Sequence, residues 1–229
     1  MKFEVITLFP GFFTSALDQS ILKKAQNKAL IEIYIHDLRP FGLGPHKVCD
    51  DVPYGGGGGM LMCVEPLVKA LESIPKVPQK RIILLTPQGE KLTQKKLKVL
   101  SEYDQLIIVC GRYHGVDERF KAYIDEEISI GDYVINGGET ASLVLIEGVT
   151  RLIPGVLGHE GSLTQETFEH DLLGYPQYTR PPVFAGQKVP GILVSGDHKA
   201  ISQWRKKKAL HITRKKRPDL LDELDHEQD

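Results

Sequence analysis

Three polar segments of the chain, TPQGE (86–90), GRYHGVDER (111–119) and IGDYVINGGE (130–139), each follow a strand-like run and carry at least one glycine. In open α/β sheets ligands bind in the crevice beyond the carboxyl ends of the strands, so three such loops predict one composite pocket. Glycines such as Gly111, Gly131, Gly137 and Gly138 let backbone N–H and C=O groups lie against the edge of an adenine. Tyr113 or Tyr133 can add apolar surface with a polar tip, which suits a nucleoside. Any one of these loops alone reads as an ordinary glycine turn. Taken together they point to a binding site.

A fourth stretch, Tyr54–Gly59 (YGGGGG), places five glycines in succession, at a backbone-entropy cost of roughly 0.5–1 kcal/mol each if ordered. No glycine is followed by Lys and then Ser or Thr, and Met60 and Leu61 stand where the last glycine of G-x-G-x-x-G would fall, so neither familiar phosphate loop fits. The apolar MLM and the helical-looking EPLVKALESI that follow leave little room for a free linker. What stays open is a backbone kept bare so that a flat ligand can approach.

The elements that must position these loops are short β-branched runs. KFEVITLF (2–9), IEIYIHDL (31–38), RIILLT (81–86) and QLIIVCG (105–111) read as buried strands. Between them lie TSALDQSILKKAQNKA, EPLVKALESI and TQKKLKVLSEY, which read as helices, and the alternation predicts a mostly parallel α/β sheet. ETASLVLIEGVTRLI (139–153) is apolar on most sides and reads as a helix buried in a core or an interface. A proline-bearing stretch follows, and Ser195-Gly196-Asp197 supplies an N-cap region for a basic helical segment. The expected division is a pocket-bearing domain over 1–157, a linker over 158–165 and a small helical domain over 166–229.

The 229 residues are 41% hydrophobic and 26% charged, enough for a proper core. A net charge of −1 hides a segregated pattern: Arg205 to Arg217 holds eight Lys/Arg and no acid, while the last eleven residues hold six acids and no Lys/Arg. A basic block beside Trp204 is the footprint expected for a nucleic-acid phosphate backbone, although a solvated helix face has the same composition. Cys49, Cys63 and Cys110 lack metal or disulfide spacing and read as reduced thiols. There is no membrane-length apolar run and no signal-peptide layout at the start, so a cytoplasmic protein is expected.

Eight segments in order, LFPGFF, RPFGLGPHKVCDDVPYGGGGGMLM, LLTPQGEKL, VCGRYHGVDERF, IGDYVINGGE, RLIPGVLG, YPQYTRP and SGDHKAISQWR, resemble the bacterial tRNA (guanine-N1)-methyltransferase family TrmD, of the trefoil-knotted (SPOUT) methyltransferases. The resemblance implies an α/β fold with a deep knot through the loops from Thr86 to Gly138, and a homodimer with its active site at the subunit interface. It implies S-adenosylmethionine bound on Leu85, Thr86, Pro87, Gly111, Ile130, Gly131, Asp132, Tyr133, Val134, Ile135, Gly137 and Gly138. The substrate would be guanosine at tRNA position 37, just 3′ of the anticodon, flipped out beside the glycine run, with His46, Asp50, Gly55 and Gly59 holding it.

Methylating guanine N1 requires a base near N1 and positive charge near O6. By resemblance these are Glu166 and Arg151, with Glu166 contributed by the opposite subunit. The chain departs from the family at three places: Glu166 replaces an aspartate, His114 a glutamate, and Gly174 a position that is often acidic. The family is associated with magnesium dependence, yet no carboxylate cluster here marks a metal cage, so any ion would act through the substrate complex. Two other readings are a ribose 2′-O-methyltransferase of the same fold, and a non-catalytic RNA-binding relative.

Overall fold

The computed structural model describes residues 1–158, 166–168 and 171–221. The chain divides into two compact units, Met1–Gly158 and His159–Asp229. Residues 159–165, which make up most of the expected linker, lie outside the described residues.

In the first unit, in chain order, are β1 (Lys2–Thr7), α1 (Thr14–Leu17), α2 (Ser20–Asn27), β2 (Glu32–Asp37), β3 (Asp50–Asp51), β4 (Leu61–Met62), α3 (Val64–Ser73), β5 (Lys80–Lys91), α4 (Gln94–Leu100), β6 (Gln105–Cys110), β7 (Glu126–Ser129) and α5 (Glu139–Thr150). Five strands form one parallel sheet in the order β2-β1-β6-β5-β7. β3 and β4 form a separate antiparallel hairpin whose loop is the glycine run.

Alternation along the strands divides the core. Phe3, Val5, Ile83, Leu85, Leu106 and Ile108 pack on one face with residues of α2, α4 and α5, and Ile6, Ile82, Leu84, Ile107 and Val109 pack on the other with Leu67, Ala70 and Leu71 of α3. A parallel sheet covered on both faces must have nearly continuous apolar strands, and every residue of β6, at its centre, is buried. α5 contributes Leu145, Ile146 and Val149 to this core while leaving Val144 about half exposed.

Three expectations are corrected. The single helix expected over 14–29 is broken into α1 and α2, with Ser20 at φ +46° where the chain turns. TPQGE is not a simple loop after a strand: β5 continues to Lys91, and because Leu85 and Glu90 both pair with Ile128, the four residues between them bulge out of register. Gly89 makes the return possible, since a Cβ there would overlap the backbone of Glu127 and Ile128.

The third correction is the strand count: the strand-like run ahead of Ile130 is a fifth strand, β7, EEIS, whose two acids set it apart from the four apolar runs. Those charges are answered across the sheet. Arg81 Nε donates to Glu126 Oε1 at 2.9 Å, and Lys96 Nζ on α4 lies 2.6 Å from Glu126 Oε2. Tertiary pairing thus overrides poor strand propensity.

In the second unit, β8 (Val183–Phe184) and β9 (Gln187–Lys188) form a tight hairpin, and α6 (His198–Lys216) carries the basic block. Asp197 caps α6 as its spacing suggests, accepting from the Ala200 N–H at 3.0 Å. Thr213 is buried; its hydroxyl donates to the Ala209 carbonyl and accepts from the Leu173 N–H, both at 2.9 Å. Arg205 lies over the Tyr175 ring at 4.9 Å.

Burial pushes the Glu126 carboxyl up, but the hydrogen bonds from Lys96 and Arg81 outweigh it and hold the group below its ordinary value of 4.5. A carboxyl depressed in the folded state stabilises the fold above its unfolded pKa, and that stabilisation is lost as pH falls through the folded value. Glu126→Gln is therefore expected to cost about 1–3 kcal/mol at neutral pH. Thermal unfolding across pH 3–7 should show the wild-type advantage shrinking toward the acid end, and a pH-independent difference would contradict this assignment.

Candidate ligand site

A cavity of about 580 Å³ opens beyond the carboxyl ends of β5, β6 and β7. Its walls come from the β5 bulge, the turn after β6 and the segment between β7 and α5, the three glycine-bearing segments. Of the twelve residues expected to hold a cofactor, Leu85, Thr86, Pro87, Gly111, Ile130, Gly131, Tyr133, Val134, Ile135, Gly137 and Gly138 line it. Asp132 does not: it points away, 2.5 Å from Lys91 Nζ and largely exposed.

Two of these segments cross in close contact. The Gly138 N–H donates to the Gly111 carbonyl at 2.9 Å, and Arg112 bridges to Gly137. A Cβ on Gly138 would come within 2.8 Å of Cys110 Cα, and one on Gly111 within 2.9 Å of the Leu85 carbonyl oxygen. These glycines exist because backbones touch.

Glu139, the first residue of α5 and 3% exposed, holds the crossing in place. Thr7 Oγ1, at the end of β1, donates to its Oε1 at 2.8 Å, and Arg112 Nη1 lies 3.4 Å from its Oε2. The Arg112 guanidinium in turn stacks on Phe9 at 4.0 Å. A carboxylate at a helix N-terminus also gains from the helix dipole. Burial, reinforced by the Glu139 charge, pushes the Cys110 thiol well up, so it is an unreactive core group. Arg112 and Glu139 were missed as site residues, though each adjoins one of the glycines that the loops singled out. Arg112 is on the wall while Glu139 lies behind it, and three further charged residues on the wall, Glu118, Lys121 and Glu127, form a linked set: Lys121 Nζ is 3.0 Å from Glu118 Oε2 and 3.3 Å from Glu127 Oε1.

The glycine run is the loop of the β3–β4 hairpin. Gly55, Gly56, Gly57 and Gly59 all have φ between +78° and +117°, a region costly for residues with a Cβ, which accounts for four of the five glycines. Nothing lies within 4 Å of where Cβ atoms would sit on Gly55 to Gly58, so the run presents bare, open backbone. Gly59 differs: a Cβ there would be 2.6 Å from His114 Nε2, and His114 also lines the cavity. The His114 N–H donates to the Met60 carbonyl at 3.1 Å, and the Met62 N–H to the Gly115 carbonyl at 3.0 Å, which ties the hairpin to the cavity rim.

The other expected residues are not among those lining the cavity. His46 is exposed in the turn Gly44–Lys47, and Asp50 begins β3, opposite Met62. Arg151 caps the carboxyl end of α5, its N–H donating to the Glu147 carbonyl at 3.1 Å, and Glu166 is half-buried in the second unit. Among the described residues no three His, Cys, Asp or Glu side chains converge as metal ligands. No helix among them is long and apolar enough to cross a membrane.

At Gly138 the backbone, φ −73° and ψ −4°, would accept alanine, and only space forbids it. Gly138→Ala should therefore cost about 1–3 kcal/mol through forced separation of two backbones. It should also weaken binding in the cavity, read by calorimetry with S-adenosylmethionine or its demethylated product. Wild-type stability and affinity would show that the crossing is looser than described.

The sequence model of the family described as tRNA (Guanine-1)-methyltransferase TrmD matches residues 1–223. Among similar proteins, the tRNA (guanine-N(1)-)-methyltransferase of Geobacter sulfurreducens is 49% identical over 96% of this chain and 91% of its own length. That of Geobacillus kaustophilus is 50% identical over 97% and 92%, and that of Synechocystis 48% over 96% and 95%. A match across nearly the whole length, by the family model and by relatives at about half identity alike, places the chain in the tRNA (guanine-1)-methyltransferase TrmD family.

Proposed function

We propose that the chain transfers a methyl group from S-adenosylmethionine to N1 of guanosine in tRNA, at position 37, and does so as a homodimer. The observation that carries the reading is the cavity: a nucleoside-sized space at the carboxyl edge of the sheet, lined where glycine backbones cross, in a chain whose residues 1–223 match this family. In this reading the segments between Thr86 and Gly138 form the family's knot, and localisation is cytoplasmic.

When bound, S-adenosylmethionine supplies an electrophilic methyl group on a sulfonium. The chain's own residues do the rest. The segments Leu85–Pro87, Gly111, Ile130–Ile135 and Gly137–Gly138 grip the cofactor by backbone groups, Tyr133 shields it, and Arg112 is kept at the rim by Glu139. His46, Asp50 and the open backbone from Gly55 to Gly59 receive the flipped guanine, whose plane needs a surface without side chains.

Neutral guanine carries a proton on N1, with the nitrogen lone pair delocalised into the ring. Glu166 of the partner subunit removes that proton, and Arg151 offsets the negative charge that develops at O6. The basic face of α6 holds tRNA phosphates. A base aimed at N1 separates this reading from ribose 2′-O-methylation, which has no use for one.

Incubation with labelled cofactor and tRNA transcripts, followed by digestion, should yield 1-methylguanosine from position 37. A 2′-O-methylated nucleoside, or no product, would overturn the reading. In single-turnover assays Glu166→Gln should slow methyl transfer by on the order of 10²–10⁴ with cofactor affinity nearly intact, and Glu166→Asp should retain far more. Transfer by the Gln variant within a few-fold of wild type would place the base elsewhere, with Asp171 the next candidate. The shared site has its own check: Arg151→Ala and Glu166→Ala chains, each inactive alone, should regain activity when mixed under conditions of subunit exchange. No recovery would remove the composite arrangement.

A further inference from the structure

Residues 177–188 of the second unit are all exposed, yet they contain an ordered element, the β8–β9 hairpin. Val183 pairs with Lys188 and Phe184 with Gln187, and the Val189 N–H donates to the Pro182 carbonyl at 3.0 Å, closing the base of the hairpin. Ala185 and Gly186, at φ +47° and +79°, make a tight turn of the kind that matches strand twist. At its tip Phe184 is 75% exposed and Val183 50%, with Tyr178 at 50% a few residues before. A bare phenylalanine on a projecting hairpin does nothing for the core.

The pattern of exposure and charge selects the occupant. Successive strand residues point to opposite faces, so Val183 and Phe184 form no common apolar patch of the size a stable protein interface requires. They present instead two narrow apolar faces on a thin blade. From Leu172 to Gly196 there is no acidic residue, while Arg180 and Lys188 flank the tip, and α6 adds the basic block beyond. An exposed aromatic ring between cations, with no acid near it in sequence, matches a strand of phosphates carrying flat bases. Single-stranded nucleic acid is held by that combination of base stacking and backbone charge.

We propose that the β8–β9 hairpin is a stacking finger for an unpaired region of RNA, with Phe184 contacting a nucleobase and Arg180 and Lys188 the adjacent phosphates. This rests on the reading that the substrate is tRNA. The small tip residues leave the ring accessible: no heavy atom lies within 4 Å of where a Cβ on Gly186 would sit.

The test is equilibrium binding of the full chain to an unmethylated tRNA transcript and to a guanine-free single-stranded oligonucleotide, each over a salt series. Phe184→Ala should weaken both by about tenfold or more, as expected for one lost stack, with the salt slope and the thermal midpoint unchanged, and Phe184→Trp should restore affinity. Lys188→Gln should instead lower the log–log salt slope by about one. Wild-type RNA affinity in Phe184→Ala overturns the proposal, and loss of self-association with RNA affinity intact assigns the hairpin to a protein contact. The two readings fail separately. If wild type makes no methylated guanine but Phe184→Ala still weakens oligonucleotide binding, the enzymatic reading falls and the finger stands; if wild type methylates N1 and Phe184→Ala binds normally, only the finger falls.

Discussion

A single buried carboxylate organises the site. Glu139 receives a hydrogen bond from Thr7 at the end of β1 and the charge of Arg112 just after β6, while standing at the first turn of α5. Three elements distant in sequence thereby meet at one side chain that water barely reaches, where an unanswered charge would be costly. The glycines on either side follow from this. A Cβ on Gly137 would strike both Glu139 and Arg112, and one on Gly138 would strike Cys110, so the two crossing segments lie at backbone distance. The cavity floor is the by-product of that closeness.

Most of the architecture was legible because buried parallel strands leave a strong trace. β6 and the first half of β5 are nearly continuous apolar runs, β1 and β2 are β-branched runs broken by a few charges, and Asp197 marks the start of α6 by its type alone. β7 left a weaker trace, a strand-like run ahead of Ile130 without the apolar pattern of the others, because its two acids are answered by Arg81 and Lys96, forty-five and thirty residues from Glu126. The bulge in β5 was equally hidden: a double pairing with Ile128 is a property of two strands, and TPQGE alone reads as a turn.

The same distinction runs through the site. Glycines announce themselves by composition, so the cavity floor could be read directly, whereas Arg112 and Glu139 are ordinary charged residues until burial and geometry give them a task. Asp132, sitting among residues that face the cavity, turns outward to Lys91, which shows that a contiguous stretch need not point one way. The five glycines divide as well: four serve unusual backbone angles, and one of those four, Gly59, also makes room for His114.

The strand order has a consequence for synthesis on the ribosome. β1 pairs with β6 in the register Lys2 to Gln105, so the central strand of the sheet emerges about a hundred residues after its neighbour. At about 5–20 residues per second, β1 waits on the order of 5–20 s with only β2 beside it. During that interval Glu4, which ends up 6% exposed, has His36 at 2.6 Å as a partner on β2, while Gln105 has yet to be made. A charged residue in the middle of an otherwise apolar strand keeps the nascent edge hydrated until translation delivers the strand that covers it.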